Sequence, residues 1–292
     1  MKQALVYKKL GNQKIQCQIC FRFCLINPNK RGLCGVKENI RGTLYSLNYG
    51  KIIAKNIDPI EKKPLYGFMP RTMTYSIASA GCNLKCANCQ NWQISQVPKL
   101  NKIIPGQKIS SKQIVEQAID SNCPSISYTY TEPTIFAEFA LETMKLAKEN
   151  KLKNIWVTNG LMSQQTLKLI TPFLDAVNVD LKSFDNVFYQ KYCGGQLKPV
   201  LENLKEMKRK NIWIEITTLI IPGLTDNEKM LKKIAMFIKN ELGIKTPWHI
   251  SRFFPEISWK FKKLLPTPVE TIEKIEQIGL KSGLRYVYKG NI

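Results

Sequence analysis

Three cysteines, Cys82, Cys86 and Cys89, stand close together in the run AGCNLKCANCQNWQIS, separated by three and two residues. This spacing places three thiolates on one short loop. Zinc sites usually carry their cysteines in two separated Cys-x2-Cys halves, whereas no fourth cysteine follows this set closely. Three thiolates leave one iron of a four-iron cluster without a protein ligand. The pattern therefore predicts a [4Fe–4S] cluster with one position open to a substrate or cosubstrate. A zinc knuckle or free thiols are the alternatives.

A second set of cysteines lies nearer the N-terminus, at Cys17, Cys20, Cys24 and Cys34. Four thiolates fill a tetrahedral zinc site or hold a closed iron–sulfur cluster. Residues 1–70 contain few periodic apolar residues, so this segment would gain stability from a bound metal. The set predicts a second metal site, structural or auxiliary, and its spacing does not choose between zinc and iron. Free thiols are the alternative. The two remaining cysteines, at positions 123 and 193, are expected to be ordinary buried or surface residues.

From about residue 73 the sequence alternates between short apolar runs and amphipathic segments. The predicted strands lie at residues 73–79, 124–130, 153–159, 175–181, 212–220 and 246–253. The predicted helices lie at residues 110–122, 134–150, 163–174, 196–211 and 225–242, with a final helix within 266–283. Such alternation predicts parallel strands with right-handed crossovers. Because the strands are apolar on both faces, we expect helices to cover the sheet. A barrel and an open doubly wound sheet both fit this pattern.

The three-cysteine set directly follows the first predicted strand, and there it resembles the Cys-x3-Cys-x2-Cys signature of the radical S-adenosylmethionine (SAM) superfamily. The resemblance implies an α/β fold, a partial (β/α)6 barrel of the TIM type, over residues 71–265. An irregular Cys-rich extension would precede it over 1–70, and a C-terminal helix and short strand would follow over 266–292. The resemblance also implies reductive cleavage of SAM at the [4Fe–4S] cluster, which gives a 5′-deoxyadenosyl radical that abstracts hydrogen from a substrate. It does not identify catalytic residues beyond the cofactor ligands.

Residues at the ends of the second and third predicted strands match motifs that bind SAM in this superfamily. Glu132 matches the carboxylate of a Gly-Gly-Glu-Pro-like motif that holds the SAM amino group, and Thr131 replaces one of its glycines. Thr158 and Asn159 match an Asp-Thr-Asn-Gly run of the activases similar to pyruvate formate-lyase activating enzyme, in which Val157 stands for the Asp. The alternatives are an ordinary helix start and an Asn-Gly turn.

The fourth and sixth strands contribute three further candidates for SAM binding. Asp180 and Lys182 are two residues apart, so they point to the same side of a strand. They match an Asp-x-Lys pair that contacts SAM in the activases. A charged pair inside a barrel needs a ligand or partner to offset its loss of solvation. His249 is the only histidine of the chain, and a site residue and a core residue are equally good interpretations of it.

Several runs along almost the whole chain resemble one family within the superfamily, the AmmeMemoRadiSam system radical SAM enzymes. They include CQICFRFCLINPNKRGLCGV, NIDPIEKKPLYGF, YTYTEPT, VDLKSF and PWHISRFFP. The resemblance implies Memo-type and AMMECR-type proteins as partners and flavodoxin or ferredoxin as electron donor. It also implies a protein substrate, as for a glycyl-radical activase. We expect histidines in the family where Gly67 and Phe254 stand here, and a further Cys pair beyond Ile292.

The net charge, the cysteine count and the lack of long apolar runs limit the classes of function that this chain can have. The formal net charge is +22, from 44 basic and 22 acidic residues, which keeps a radical SAM enzyme that modifies RNA as an alternative. However, the lysines are spread evenly and no separate RNA-binding module is visible, so we expect no nucleic acid partner. A non-catalytic metal-binding module is the alternative from another class. Clustered cysteines in an odd total favour metal binding over disulfides. With no apolar run of about 18–20 residues and no secretory signal, we expect a cytoplasmic protein.

Overall fold

The largest element of the fold is a twisted sheet of eight strands, in a computed structural model that describes residues 1–292. Sixteen strands are present along the chain: β1 (Lys2–Gln3), β2 (Tyr7–Lys9), β3 (Ile15–Cys17), β4 (Leu25–Ile26), β5 (Lys37–Ile40), β6 (Thr43–Ser46), β7 (Lys51–Ile52), β8 (Ala54–Pro59), β9 (Met73–Ala78), β10 (Gln107–Lys108), β11 (Ser125–Tyr128), β12 (Lys153–Thr158), β13 (Ala176–Asp180), β14 (Trp213–Ile220), β15 (Trp248–Arg252) and β16 (Val287–Gly290).

Nine α-helices accompany the strands: α1 (Trp92–Ser95), α2 (Val97–Leu100), α3 (Ser111–Asp120), α4 (Ala137–Glu149), α5 (Gln164–Ile170), α6 (Asn186–Phe188), α7 (Leu197–Arg209), α8 (Glu228–Phe237) and α9 (Val269–Lys281). Short 3-10 helices lie at Ile60–Lys62, Pro133–Phe136, Thr171–Phe173 and Pro255–Ile257, and π-helical turns lie at Tyr189–Cys193 and Ile238–Leu242. No helix is both long and apolar enough to span a bilayer.

The main sheet runs in the order β16-β15-β14-β13-β12-β11-β9-β8. All neighbouring pairs are parallel except β8 and β9, which are antiparallel. The six predicted strands and the five predicted helices between them are therefore present in order. The sheet has two edges and is open, as expected of a partial barrel, and the predicted α/β fold is confirmed. Because β8 and β16 also join this sheet, both flanking segments contribute to it; the predicted division into three segments stays a prediction.

Side chains of the central strands alternate between a face covered by helices and a concave face. Along β14, Ile214, Ile216 and Ile220 belong to the main core of 54 buried residues, whereas Glu215 and Thr217 make polar contacts on the concave face. The helices begin where the sequence supplies caps. Ser110 and Gln113, for example, form a reciprocal capping box at the start of α3. This alternation leaves the concave face polar and available for a ligand.

Residues before β8 form three small sheets, in the orders β1-β6-β5, β2-β3-β4 and β10-β7. The third sheet also includes β10, which follows Cys82, Cys86 and Cys89 along the chain. These strands are only two to four residues long, and the segment is otherwise irregular, as predicted. It has a small hydrophobic core of its own, which consists of Ala4, Ile15, Cys17, Ile19, Ile26 and Leu44. A core this small gives limited stability without a further crosslink.

The segment that follows β8 closes the N-terminal end of the barrel strands. Ile60 and Leu65 are fully buried and pack against Ile155 and Ala176, near the starts of β12 and β13. The backbone N–H groups of Tyr66 and Gly67 donate to Glu215 at 3.0 and 2.8 Å. We call residues 60–69 the plug. Its contacts leave the carboxyl ends of the strands as the open side of the sheet.

Candidate cofactor site

The three-cysteine loop lies between β9 and α1, at the carboxyl end of the first barrel strand. Cys86 is buried, and Cys82 and Cys89 are half-buried. The backbone N–H of Leu84 donates to the Cys82 sulfur at 3.4 Å, and the Cys89 sulfur lies 3.5 Å from the hydroxyl of Ser95. Burial raises the pKa of the Cys82 thiol to about 12, so this ligand is protonated at neutral pH until a metal displaces the proton.

Three predicted SAM residues meet in one hydrogen-bond network beside this loop. The Glu132 carboxylate accepts from the Asn159 N–H at 2.8 Å and from the Thr158 hydroxyl at 2.8 Å. The side-chain amide of Asn159 donates to the side-chain oxygen of Asn83 at 2.8 Å. Burial raises the pKa of Glu132, and these hydrogen bonds oppose that shift. The ends of β11 and β12 are thereby connected to the residue that follows Cys82.

A charged pair lies at the end of β13. The Lys182 ammonium and the Asp180 carboxylate are 2.7 Å apart. Burial lowers the pKa of Lys182, but Asp180 and the sulfurs of Cys86 and Cys193 raise it, and the net shift is well above the ordinary value. Lys182 is therefore a cation whose charge interacts with Cys86, whereas the charge of Glu132 interacts with Cys82.

Two other predicted SAM residues have partners within the protein. The Thr131 hydroxyl donates to the Ser79 carbonyl at 2.7 Å and so fixes the turn after β11. His249 lies on the concave face of β15, but its Nε2 is 2.6 Å from Glu215. Its ring also contacts the rings of Tyr66 and Tyr288. The structure therefore connects His249 to the plug and does not bring it into the Glu132 network.

Sequence reasoning missed one residue at this site, Cys193. It is fully buried at the end of the π-helical turn, and its thiol interacts with that of Cys86. The neighbouring Cys86 thiol lowers the pKa of Cys193. The turn is held against the loop by backbone bonds from Lys85 N–H to Cys193 O at 2.9 Å and from Ala87 N–H to Tyr192 O at 2.8 Å. Its sequence gives no signal of this contact, because the turn is distant along the chain. Cys123 is a buried cysteine apart from this site, as predicted.

The four N-terminal cysteines line a single cavity. Its walls are formed by Cys17, Ile19, Cys20, Arg22, Cys24, Gly32, Cys34, Lys37, Asn83 and Ile135. None of the nine cysteines of the chain is in a disulfide. Burial raises the pKa of Cys17 to about 12. Nowhere in the structure are three or more His, Cys, Asp or Glu side chains arranged around one metal-ion position.

The residues around the three-cysteine loop fit a four-iron cluster with one open position. Three thiols are present, and the loop has no carboxylate or imidazole of its own to compete for iron. Two cations, Lys99 and Lys182, interact electrostatically with these sulfurs and would offset the negative charge of thiolate ligands. Glu132 and Asp180 lie at the ends of β11 and β13, on either side of β12, where the charged groups of an amino acid would find partners. The donor set therefore suits both the cluster and SAM.

Comparisons with known proteins agree with this fit. The family model of the radical SAM superfamily matches residues 76–237, from β9 to the end of α8. An uncharacterized protein of Methanocaldococcus jannaschii is 46% identical over 292 residues, covering 100% of this chain and 86% of that protein. The pyruvate formate-lyase-activating enzyme of Clostridium pasteurianum is 23% identical over 211 residues, covering 70% of this chain and 79% of that enzyme.

Among solved structures, a domain of the pyruvate-formate lyase-activating enzyme of Bacteroides vulgatus has a TM-score of 0.51. The match is 19% identical and covers 57% of this chain and 99% of that domain, so it supports the fold alone. With the superfamily match over more than half of its length, the chain belongs to the radical SAM superfamily. It is an enzyme of that superfamily, whose members use a [4Fe–4S] cluster and SAM.

Proposed function

We propose that this radical SAM enzyme abstracts hydrogen from a protein partner, in the manner of a glycyl-radical activase. The observation that carries the proposal is the placement of two charged groups beside different cysteines of the three-cysteine loop. The Glu132 network lies beside Cys82, and the Asp180–Lys182 pair lies beside Cys86. Relatives named as pyruvate formate-lyase-activating enzymes support the choice of a protein as substrate. When bound, the cluster and SAM together supply a 5′-deoxyadenosyl radical. The protein residues around the site bind and orient these cofactors and exclude water from them.

Glu132 is suited to hold the SAM ammonium group. Thr134 and Thr158 donate to its Oε1, whereas Oε2 accepts only the N–H of Asn159. A carboxylate oxygen has two acceptor positions, so Oε2 retains one for an incoming donor. The donors that surround Glu132 fix its orientation before SAM arrives. At the end of β13, Lys182 supplies a cation for the SAM carboxylate, and Asp180 holds that cation in place.

The rim of the open side is suited to a large and acidic partner. Residues 255–261 bond directly to the three-cysteine loop, because Ala87 O accepts from the Lys260 N–H at 2.8 Å and from the Ser258 hydroxyl at 3.1 Å. On this rim the rings of Trp92 and Trp259 stack with their centroids 6.2 Å apart, and the Lys260 ammonium lies 4.4 Å from the centre of the Trp259 ring. Aromatic residues are enriched in protein interfaces, and the positive charge of Lys260 favours an acidic partner surface.

The finer identity of the enzyme is part of the same proposal. The sequence runs described above favour the AmmeMemoRadiSam system, with Memo-type and AMMECR-type proteins as partners and flavodoxin or ferredoxin as electron donor. Nine cysteines without a disulfide support a reducing compartment, the cytoplasm. Glu132, Thr158, Asn159, Asp180 and Lys182 are the proposed SAM ligands, with Thr131 in a supporting position, whereas His249 is bound to Glu215 beside the plug.

The experiment that tests the proposal identifies the source of the abstracted hydrogen. Reconstituted enzyme, unlabelled SAM and dithionite would be incubated with a fully deuterated protein fraction, including purified Memo-type and AMMECR-type proteins. A parallel reaction would contain deuterated RNA. We expect 5′-deoxyadenosine with one added deuterium from the protein fraction, and none when the Cys86→Ala variant replaces the enzyme. Deuterium transfer from the RNA alone would overturn the choice of a protein substrate, and its absence from both would overturn hydrogen abstraction from a macromolecule.

A further inference from the structure

The cavity lined by Cys17, Cys20, Cys24 and Cys34 is enclosed by protein on several sides and faces the rest of the enzyme. We infer that this cavity, the four-cysteine pocket, holds a second iron–sulfur cluster that is close enough to the SAM cluster to exchange an electron with it. The inference goes beyond hydrogen abstraction and does not depend on the nature of the substrate. It rests on three features of the structure, which are the folding of the pocket, its position and the charges around it.

Local backbone contacts hold the four thiols around the cavity. The N–H of Cys17 donates to Cys24 O at 2.9 Å, which closes the chain around Cys20. Gly32 packs beside this set, since a side-chain carbon there would lie 3.2 Å from the Ile26 side chain and 3.8 Å from the Cys24 sulfur. These contacts use backbone groups and a glycine and leave the four sulfurs free to bind metal. Four cysteines without a disulfide around one cavity form a donor set for an iron–sulfur cluster with all its irons ligated by protein.

The pocket is fixed to the barrel at the end of the third barrel strand, β12. The Ser163 hydroxyl donates to Gln18 O at 2.6 Å, and the Thr166 hydroxyl donates to Ile19 O at 2.8 Å. The N–H of Phe21 donates to Leu161 O at 3.2 Å. These bonds join the residues on both sides of Cys20 to the segment that follows Asn159. The pocket therefore has a defined position relative to the SAM site.

The wall between the pocket and the three-cysteine loop is one residue thick. Asn83 lines the pocket and is the chain neighbour of Cys82, whose sulfur lies 3.8 Å from the Asn83 side-chain oxygen. On the other side of Cys82, a side-chain carbon at Gly81 would lie 3.6 Å from Cys34 O. The next residue, Gly35, packs so closely on Pro98 that a side-chain carbon would come within 2.6 Å of its backbone. Ligands of the two sites are thus separated by single residues.

Two cations lie between the cysteine sets without a carboxylate partner. The Arg22 guanidinium donates to Asn83 O at 2.8 Å and to Gly194 O, and the Lys99 ammonium donates to Leu84 O and to Gln96 Oε1. Neither side chain forms a salt bridge, and the charge of Lys99 interacts with the sulfurs of Cys34, Cys82 and Cys86. Unpaired cations in a partly buried region are costly unless a negative charge lies nearby. Two thiolate-bound clusters would supply that charge on both sides.

The electron balance of the coupled pair is simple. An external low-potential donor of the flavodoxin or ferredoxin class would transfer one electron to the cluster in the pocket. The same electron then crosses the Asn83 wall to the SAM cluster, and the pocket cluster returns to its oxidised state. No bond or proton changes in this step. A zinc ion in the pocket has no redox state to offer, so the position of the pocket beside the SAM site would then have no electronic consequence.

The test combines metal content with electron paramagnetic resonance (EPR) of anaerobically reconstituted protein. We expect about eight irons per chain in the wild type, and about four in both the Cys17→Ser/Cys20→Ser and the Cys82→Ala/Cys86→Ala/Cys89→Ala variants. In the wild type reduced with dithionite, the two paramagnetic clusters broaden and split each other's signals and speed each other's relaxation. Each variant loses this coupling and gives an isolated signal. The Cys123→Ser variant, which changes a cysteine outside both sets, is the matched control.

Two outcomes would overturn the inference. The first is about one zinc and four irons per chain in the wild type, since the pocket would then be a structural zinc site. The second is about eight irons with unsplit and slowly relaxing signals, since the clusters would then be too far apart to communicate. Both measurements can be made on the wild type alone, so a variant that fails to fold leaves the inference testable. Hydrogen abstraction from a protein is measured separately and can fail or succeed independently.

Discussion

The side-chain amide of Asn159 donates a hydrogen bond to the side-chain oxygen of Asn83 at 2.8 Å, and both residues are buried. The backbone N–H of Asn159 at the same time donates to Glu132. One asparagine therefore connects the carboxylate proposed to hold the SAM ammonium with the loop that carries the cluster ligands. The positions of the two cofactors depend on each other through this residue.

Replacing Asn159 with Ala should weaken SAM binding and lower stability together. The change leaves the buried oxygen of Asn83 without its donor, which typically costs about 1–3 kcal/mol. Thermal unfolding under anaerobic conditions and a SAM titration of the reconstituted protein would measure the two effects. The exposed Asn240, replaced with Ala, is the matched control and should change neither. A SAM affinity equal to that of the wild type in Asn159→Ala would contradict this role.

Cys86 and Cys193 should respond differently to substitution. We expect Cys86→Ala to abolish the SAM cluster, whereas Cys193→Ala should keep it and shift its midpoint potential to a more negative value. Once Cys86 is bound to iron as a thiolate, the adjacent Cys193 thiol would donate to it, and such a bond favours the reduced state. Removing this donor therefore disfavours the reduced state. Redox titration followed by EPR in the presence of SAM measures both effects, with Cys123→Ala as control. Identical potentials and signals in Cys193→Ala and the wild type would show that the contact does not tune the cluster.

Lys182→Ala should weaken SAM binding while sparing the cluster. The change removes a cation from a charged hydrogen bond, typically worth about 1.5–3 kcal/mol, which corresponds to roughly a tenfold to hundredfold loss in affinity. Iron content and absorbance report the cluster, and equilibrium binding reports SAM. The exposed Lys198, replaced with Ala, serves as control. If Lys182→Ala and Lys198→Ala bind SAM equally well, the strand-end assignment is wrong.

Glu215 should make stability depend on pH in the acid range. Burial raises its pKa, but hydrogen bonds from His249, Tyr66, Trp213 and Gly67 outweigh this and lower it below the ordinary value of 4.5. The unfolded state therefore binds a proton at a higher pH than the folded state does. The stability that these hydrogen bonds contribute is fully present above pH 4.5, the ordinary pKa of a glutamate. It is lost as the pH falls through the pKa of Glu215 in the folded state.

Melting temperatures of the wild type and of Glu215→Gln, measured from about pH 6 down to about pH 3, would test this linkage. We expect the wild type to be the more stable at the upper end and the two curves to converge at the lower end. Parallel curves over the whole range would indicate that the titration of Glu215 does not contribute. Glu273→Gln, at an exposed position of α9, controls for the loss of one negative charge.

Local patterns were enough to predict the barrel strands and the three-cysteine loop. The helices α3, α5 and α8 begin at Ser110, Ser163 and Asn227, whose side chains accept from the helix N-terminus, and such caps are visible in sequence. The spacing of Cys82, Cys86 and Cys89 was sufficient because all three lie on one loop. Features of this kind are settled by residues close together along the chain.

Contacts between distant segments could not be predicted in this way. The proximity of Cys193 to Cys86 depends on how a π-helical turn docks on the loop, and the partner of His249 depends on the position of Glu215 on the neighbouring strand. The short N-terminal strands were missed for another reason. Strands of two to four residues give too few alternations for a period-2 pattern to be recognised.

The plug has a consequence for the order of events during turnover. Ile60 and Leu65 seal one end of the barrel, and Glu215 ties Tyr66 and Gly67 across it. SAM would enter and methionine would leave through the open side of the sheet, where a protein partner would also dock. A docked partner of that size would trap spent cofactor beneath it. Each cycle would then require the partner to detach before fresh SAM is admitted, so a partner that binds too tightly would act as an inhibitor of its own modification.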